Sequence, residues 1–270
     1  MEPYNVKVIT YPDLTRQYRI YHRDVVSKQK KSNRCKNPFD DYWTRDIKGD
    51  IGDCFSHSAM VSMNRSQGKV YNYARCNDWD WFVTFTFDRK KVDRYSFDAC
   101  RKKMSNWLQN FRKKYPDSYY LVVSERHKDG AYHFHGLFGG VDEEQLVWTG
   151  KYVRRTIRGS GRTVIKMTKE KIYKFDRYKL GFMTATRVRD RKRVTSYITK
   201  YITKELCAST YKCKRYWNSR NLILPTEETY NFDDVDRFIL STELSQEAKY
   251  EKCSFIQYGE MTQGLKLFEL

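Results

Sequence analysis

No stretch of about 18 consecutive apolar residues occurs in this 270-residue chain, so a membrane-spanning helix is excluded. Mean hydropathy is low, at −0.83. The first residues, MEPYNVKVITYPDL, lack the basic-then-apolar order of a secretory signal. There is no CxxC pair. The seven cysteines are odd in number and widely spaced, which points to free thiols in a reducing cytosol rather than a disulfide framework, with a zinc site as the alternative. A Walker A loop is also missing: Gly159-Ser160-Gly161-Arg162-Thr163 does not have the GxxxxGK[ST] spacing. No internal repeat is visible. Acidic residues are scarce, 33 against 52 Lys plus Arg, giving a net charge of +19.

What is present is aromatic and basic. Aromatics make up 16% of the chain, with 22 Tyr, enough to bury a core and to argue against disorder. The positive charge is concentrated. Residues 151–220 hold 22 basic and 4 acidic residues, whereas 221–270 carry a net charge of −6. So dense a surplus repels itself unless a polyanion neutralises it, so nucleic acid is the expected partner, and a solvated basic face the plainer alternative.

The chain divides into an N-terminal appendage (1–56), a central domain (57–220) with a basic insertion around 150–180, and an acidic C-terminal tail or cap (221–270) expected to be partly helical. Residues 57–76 read as a helix. Trp79–Phe87, WDWFVTFTF, is apolar, aromatic and β-branched, the composition of a buried strand. After Ser96, a candidate N-cap, Phe97, Cys100, Met104, Trp107, Leu108 and Phe111 recur at helical spacing. Tyr119–Arg126 and Tyr132–Phe138 read as strands around an Asp129-Gly130 turn signal. A short helix is expected at 142–148, a strand near Leu180–Thr186, and a helix from Arg191 to about Leu206. The order β-α-β-β-(insert)-β-α predicts an α+β fold: a central antiparallel sheet with helices packed on one face, of ferredoxin-like character.

Two constellations carry chemistry. In a strand, residues two apart share a face, so His133 and His135 stand side by side while Phe134 faces the other way. Two neutral imidazoles form a metal chelate; satisfied or surface histidines are the alternative. Glu125, on the neighbouring strand, joins them only if the hairpin loop has an odd length. A two-residue loop at 129–130 would set it opposite Phe134, on the wrong face, whereas a loop such as 129–131 would set it opposite His135. A bulged, odd-length turn is therefore expected, and the same parity makes His127 a reserve ligand. Two imidazoles and a carboxylate leave coordination positions open, which suits Mg²⁺ or Mn²⁺ acting on a phosphate, with nitrogen ligands favouring Mn²⁺. The second constellation is Tyr197, Lys200, Tyr201 and Lys204, spaced to share one face of a helix, with Ile198 and Ile202 turned inward. Such tyrosines either attack, activated by a neighbouring lysine, or stack on bases without reacting.

At these residues the chain resembles the HUH endonuclease superfamily, and more closely the rolling-circle replication initiators of small single-stranded DNA phages and related plasmids. Phe82-Val83-Thr84-Phe85-Thr86-Phe87 is similar to the first motif of that group. His133-Phe134-His135-Gly136-Leu137 is similar to the second, and Tyr197 to Lys204 to the third in its double-tyrosine form. Glu125 to Gly130 and Arg215-Tyr216-Trp217 are similar to the phage group as well. The resemblance covers roughly residues 60–220. It implies a HUH palm in which His133, His135 and Glu125 bind Mg²⁺ or Mn²⁺, Tyr197 is the nucleophile, Lys200 assists at the metal or phosphate, and Tyr201 either alternates with Tyr197 or only positions. Lys204, Arg187, Arg189, Arg191 and Arg193 are the expected grips on DNA. The implied activity is a site-specific nickase and ligase working through covalent phosphotyrosine on single-stranded or origin-hairpin DNA. Its setting would be the cytoplasm of a bacterial host, with the host helicase and polymerase as partners. A plasmid relaxase or single-strand transposase would use the same chemistry. A non-catalytic single-stranded nucleic-acid-binding protein is the alternative from a different class.

Overall fold

A computed structural model describes residues 2–25, 51–159, 162–210, 213–234, 250–258 and 261–269, leaving aside the side chains at 22–23, 51–58, 155–164, 204 and 250–269. In chain order the elements are β1 (Tyr4–Thr10), β2 (Arg16–Val25), α1 (Ile51–Cys76), β3 (Trp81–Phe87), α2 (Phe97–Lys114), β4 (Tyr119–Arg126), β5 (Tyr132–Gly139), β6 (Val147–Gly159), β7 (Arg162–Lys174), β8 (Gly181–Arg187), α3 (Arg191–Thr199), α4 (Lys204–Ser209), β9 (Tyr216–Asn218), β10 (Thr226–Tyr230), β11 (Tyr250–Tyr258) and β12 (Met261–Glu269). They form two compact units, residues 49–223 and the two ends of the chain together.

The end unit is a five-stranded antiparallel sheet in the order β10-β1-β2-β12-β11. The turn between β1 and β2 closes through the Tyr11 N–H to the Thr15 carbonyl (3.0 Å), with Leu14 in the left-handed region at φ 64°. Part of the negative charge of the C-terminal segment is paired here: Lys7 Nζ lies 2.5 Å from Glu227 Oε2. The sequence reading keeps the two ends apart and expects some helix in the last 50 residues. The described elements there are strands, and β10 and β12 pair with β1 and β2 from the opposite end of the chain.

The central unit is built on a seven-stranded antiparallel sheet, β6-β7-β8-β3-β5-β4-β9. Its inner face is set by alternation along β3. Trp81, Val83, Phe85 and Phe87 are buried, while Phe82, Thr84 and Thr86 on the opposite face are half-buried. The buried side receives α2, whose Cys100, Met104, Trp107, Leu108 and Phe111 form its apolar stripe. Ser96 caps that helix by accepting from the Ala99 N–H at 3.3 Å. Trp107 lies within aromatic contact of Phe85, Phe111, Phe138, Phe175 and Tyr178. Gly181 opens β8 because a Cβ there would lie 2.1 Å from the Thr86 carbonyl oxygen.

Three expectations are corrected. Helices cover both faces of the sheet: α1, α3 and α4 lie on the face opposite α2, held in part by the Gln67 Nε2 bond to the Ile202 carbonyl (2.7 Å). The expected helix from 191 to 206 breaks into α3 and α4, because Thr203 caps a new helix by accepting from the Leu206 N–H (3.1 Å) and Gln67 takes the freed Ile202 carbonyl. The segment 142–148 holds only a single 3₁₀ turn at Glu143–Gln145. The basic insertion is the β6–β7 hairpin, which extends the sheet at its edge.

Trp107→Ala, which removes the ring at the centre of the α2 face, is expected to lower stability by about 3–5 kcal/mol, read as a fall in the urea midpoint of the full chain.

Candidate active site

The site lies on the face of the sheet opposite α2, and strand register builds it. Thr84 pairs directly across from His135, and Thr86 from His133. Each threonine hydroxyl reaches the ring of its partner: Thr84 Oγ1 lies 3.2 Å from His135 Nδ1, and Thr86 Oγ1 lies 3.4 Å from His133 Nδ1. Both Nδ1 atoms are thus engaged from below, which leaves the two Nε2 atoms pointing away from β3.

The hairpin linking β4 and β5 has the expected odd-length, bulged turn, placed one residue earlier than the example considered. The His127 N–H donates to the Ala131 carbonyl (2.8 Å), the Gly130 N–H to the His127 carbonyl (2.9 Å), and Gly130 adopts φ +88°. This is the three-residue loop closed by a left-handed bulge residue. Glu125 consequently stands opposite His133 rather than His135, on the same face as both. It leans diagonally to His135, with Oε2 2.7 Å from His135 Nε2. His127 sits at the tip, its ring centroid 5.3 Å from that of His133, its Nδ1 3.1 Å from Asp129 Oδ1.

Electrostatics follow from these contacts. Glu125 is held below the usual carboxylate range, first by its hydrogen bond with His135 and then by the surrounding imidazoles, against a burial effect of opposite sign. His133 is pushed below the usual imidazole value by burial first, then by His127 and His135. A lowered value keeps that ring neutral and its lone pair free to ligate.

The tyrosines approach from α3 and the turn that follows it. Tyr201 is buried and lies flat on His135, ring centroids 3.8 Å apart and planes 3° apart. Tyr197 is 42% exposed and meets Tyr201 and Phe82 edge-on, each at 5.3 Å. Lys200 Nζ lies 3.6 Å from the centre of the Tyr197 ring and 5.4 Å from that of Tyr201. Burial pushes the Tyr201 hydroxyl far above its ordinary value, helped by its hydrogen bond with Tyr197 and by the Glu125 carboxylate, so Tyr201 stays protonated. Ile198 and Ile202 are buried, as the spacing predicted.

The structure therefore brings His133, His135, Glu125, Tyr197, Lys200 and Tyr201 together. The Lys204 side chain lies outside the described residues. The four arginines form a separate, exposed group, each beside a carboxylate: Arg187 with Glu143 (3.3 Å), Arg189 with Glu170 (3.2 Å), Arg193 with Asp190 (3.2 Å), and Arg191 with Asp78. Among the described residues, no three His, Cys, Asp or Glu side chains converge tightly enough to chelate a metal as they stand; the Glu125–His135 hydrogen bond occupies the centre. Sequence reasoning did not assign Thr84 and Thr86 their role as partners of the imidazoles. The signal was available, since their spacing of two matches that of His133 and His135. It also missed Arg215, which is buried and bonds Thr210 Oγ1, Ser62 Oγ and the carbonyls of Cys207 and Thr210, fastening α4 to α1.

An antiparallel α+β domain with paired imidazoles and paired phenols on one sheet face is what this geometry defines. Residues 80–206, just under half of the chain, match the family model described as replication-associated protein ORF2, which supports a replication initiator. That stretch contains Thr84, Thr86, Glu125, His133, His135, Tyr197, Lys200 and Tyr201. No curated protein and no solved structure matches the chain.

In the metal-free protein Glu125 is expected to titrate below the ordinary glutamate value. Because the folded value is depressed, its contribution to stability is complete above its unfolded value and is lost as pH falls through the folded one. Carboxyl NMR should show this, and His135→Asn should move Glu125 back up.

Proposed function

We propose that this protein starts rolling-circle replication by cutting one DNA strand, with Tyr197 as nucleophile. The observation that carries the reading is the chain of contacts Tyr197–Tyr201–His135–Glu125 on a single sheet face, with the whole set inside the matched stretch. The donor set fits a divalent cation. His133 and His135 present Nε2 from rings tethered at Nδ1, and Glu125 adds a carboxylate from the same face. Two nitrogens and one carboxylate suit Mn²⁺ or Mg²⁺ with positions left open. When bound, such a cation would polarise the scissile phosphate.

The chain's own groups divide the remaining work. Tyr197 is the more exposed phenol, and the Lys200 ammonium beside it favours the phenolate. Tyr197 Oη bonds to phosphorus, its proton passing to solvent. The P–O3′ bond breaks, and the departing oxygen takes a proton to become a 3′-hydroxyl for the host polymerase. Phosphodiester is exchanged for phosphotyrosine, so the reverse attack by a 3′-hydroxyl rejoins the strand without ATP. Tyr201, neutral and stacked on His135, positions the ligand ring and the Tyr197 hydroxyl. A host helicase would supply unwinding. Single-stranded or hairpin origin DNA is the substrate, and the surplus of positive charge in 151–220 would hold its backbone.

Incubation with single-stranded origin DNA and Mn²⁺, followed by denaturing electrophoresis, is expected to show a covalent adduct that disappears in Tyr197→Phe. His133→Ala should abolish cleavage while leaving salt-sensitive binding. An absence of adduct with every divalent metal would overturn the reading. Thr84→Val and Thr86→Val remove the hydroxyls behind the imidazoles and should each weaken Mn²⁺ binding by about 10–100-fold, measured by calorimetry.

A further inference from the structure

The floor of the site does not end at β3. Across the β5–β3–β8 ladder, His133 faces Thr86, and Thr86 faces Phe182. His135, Thr84 and Thr184 form the parallel row. Directly paired residues share a face, so Phe182 stands on the same side as the imidazoles, two strand spacings or roughly 10 Å from His133. Between them lie threonines only, all half-buried. Phe182 itself is 56% exposed, a large apolar ring standing at the rim of a polar floor. Its neighbours on β7 and β8, Tyr173, Met183 and Ala185, are buried on the other side, so the strand had a place for an apolar ring and did not use it for this one.

Beside Phe182 a cavity of about 330 Å³ is lined by Lys91, Lys151, Lys174 and Lys179, with Asp176 as its one carboxylate. Lys151 Nζ lies 5.7 Å from the Phe182 ring centre. Lys91 Nζ is fixed by the Lys179 carbonyl at 2.8 Å, and Lys179 pairs with Asp176 at 3.3 Å. Lys151 and Lys174 come from the basic hairpin, and so connect it to the site. An exposed aromatic ring flanked by ammonium groups is the pairing that holds a single strand: the ring takes the face of an unpaired base and the lysines take phosphates. A duplex hides its base faces and could not use the ring.

We infer that Phe182, with Lys151 and Lys174, forms a single-stranded DNA subsite that continues the floor of the candidate active site, the ring stacking on a base beside the phosphate to be cut. This rests on the proposed nicking function for its purpose, but its binding chemistry stands separately.

The test uses the full chain and fluorescein-labelled oligothymidylate without metal, read by anisotropy over a range of salt. Phe182→Ala is expected to weaken binding roughly 5- to 150-fold, the worth of one stacked base, with the salt slope unchanged. Phe182→Leu, which keeps apolar bulk without a π face, should weaken it similarly, and Phe182→Tyr should restore it. Lys151→Ala and Lys174→Ala should each reduce the salt slope by about 0.7. Binding of Phe182→Ala and Phe182→Leu within about twofold of wild type would overturn the inference, as would failure of Phe182→Tyr to restore it. The two readings separate cleanly. A normal Tyr197 adduct with no Phe182 effect removes only the subsite, whereas a Phe182 effect with no adduct under any metal removes only the nicking.

Discussion

Everything at the site depends on the register between β3 and β5. Because both strands alternate with a period of two, aligning Thr84 with His135 also aligns Thr86 with His133 and sends Phe85 and Phe134 to the other face. One alignment therefore fixes two ring tethers and two core residues at once. A slip of one residue would bury the imidazoles against α2 and expose phenylalanine. The apolar core on the α2 side enforces the polar arrangement opposite, so the packing of Trp107 and its neighbours is also what holds the imidazoles in place.

Much of this was legible in the chain. The alternation in WFVTFTF, the helical stripe from Phe97 to Phe111, and the His-x-His pair each have one dominant period, and each folds as that period demands. The parity argument for the hairpin works because register has only two outcomes for a face: any odd loop puts Glu125 with the histidines. It does not fix which histidine Glu125 opposes, since that needs the loop's exact length and the left-handed residue at Gly130. The break between α3 and α4 was not legible. The spacing of Tyr197, Lys200, Tyr201 and Lys204 suits a continuous helix, and only Gln67, from 135 residues earlier, reveals that the Ile202 carbonyl has another partner.

The break also separates the roles of the two phenols. Tyr197 ends a regular helix and remains open to solvent, while Tyr201 sits in the turn and lies flat on a ligand ring. Side chains of one type, four residues apart, thus meet opposite surroundings. One is exposed beside an ammonium group; the other is desolvated and held neutral. Charge is partitioned as well. The arginines at the start of α3 already face carboxylates, whereas the lysines around Phe182 far outnumber the single acid among them.

The pairing of the two chain ends in one sheet sets an order of assembly. β1 and β2 leave the ribosome long before the strands that flank them, β10 and β12, have been translated. Residues 49–223 contain all seven strands of their own sheet and can complete it earlier. During that interval the nascent β1–β2 hairpin presents two open edges, the kind of surface on which separate copies pair with one another.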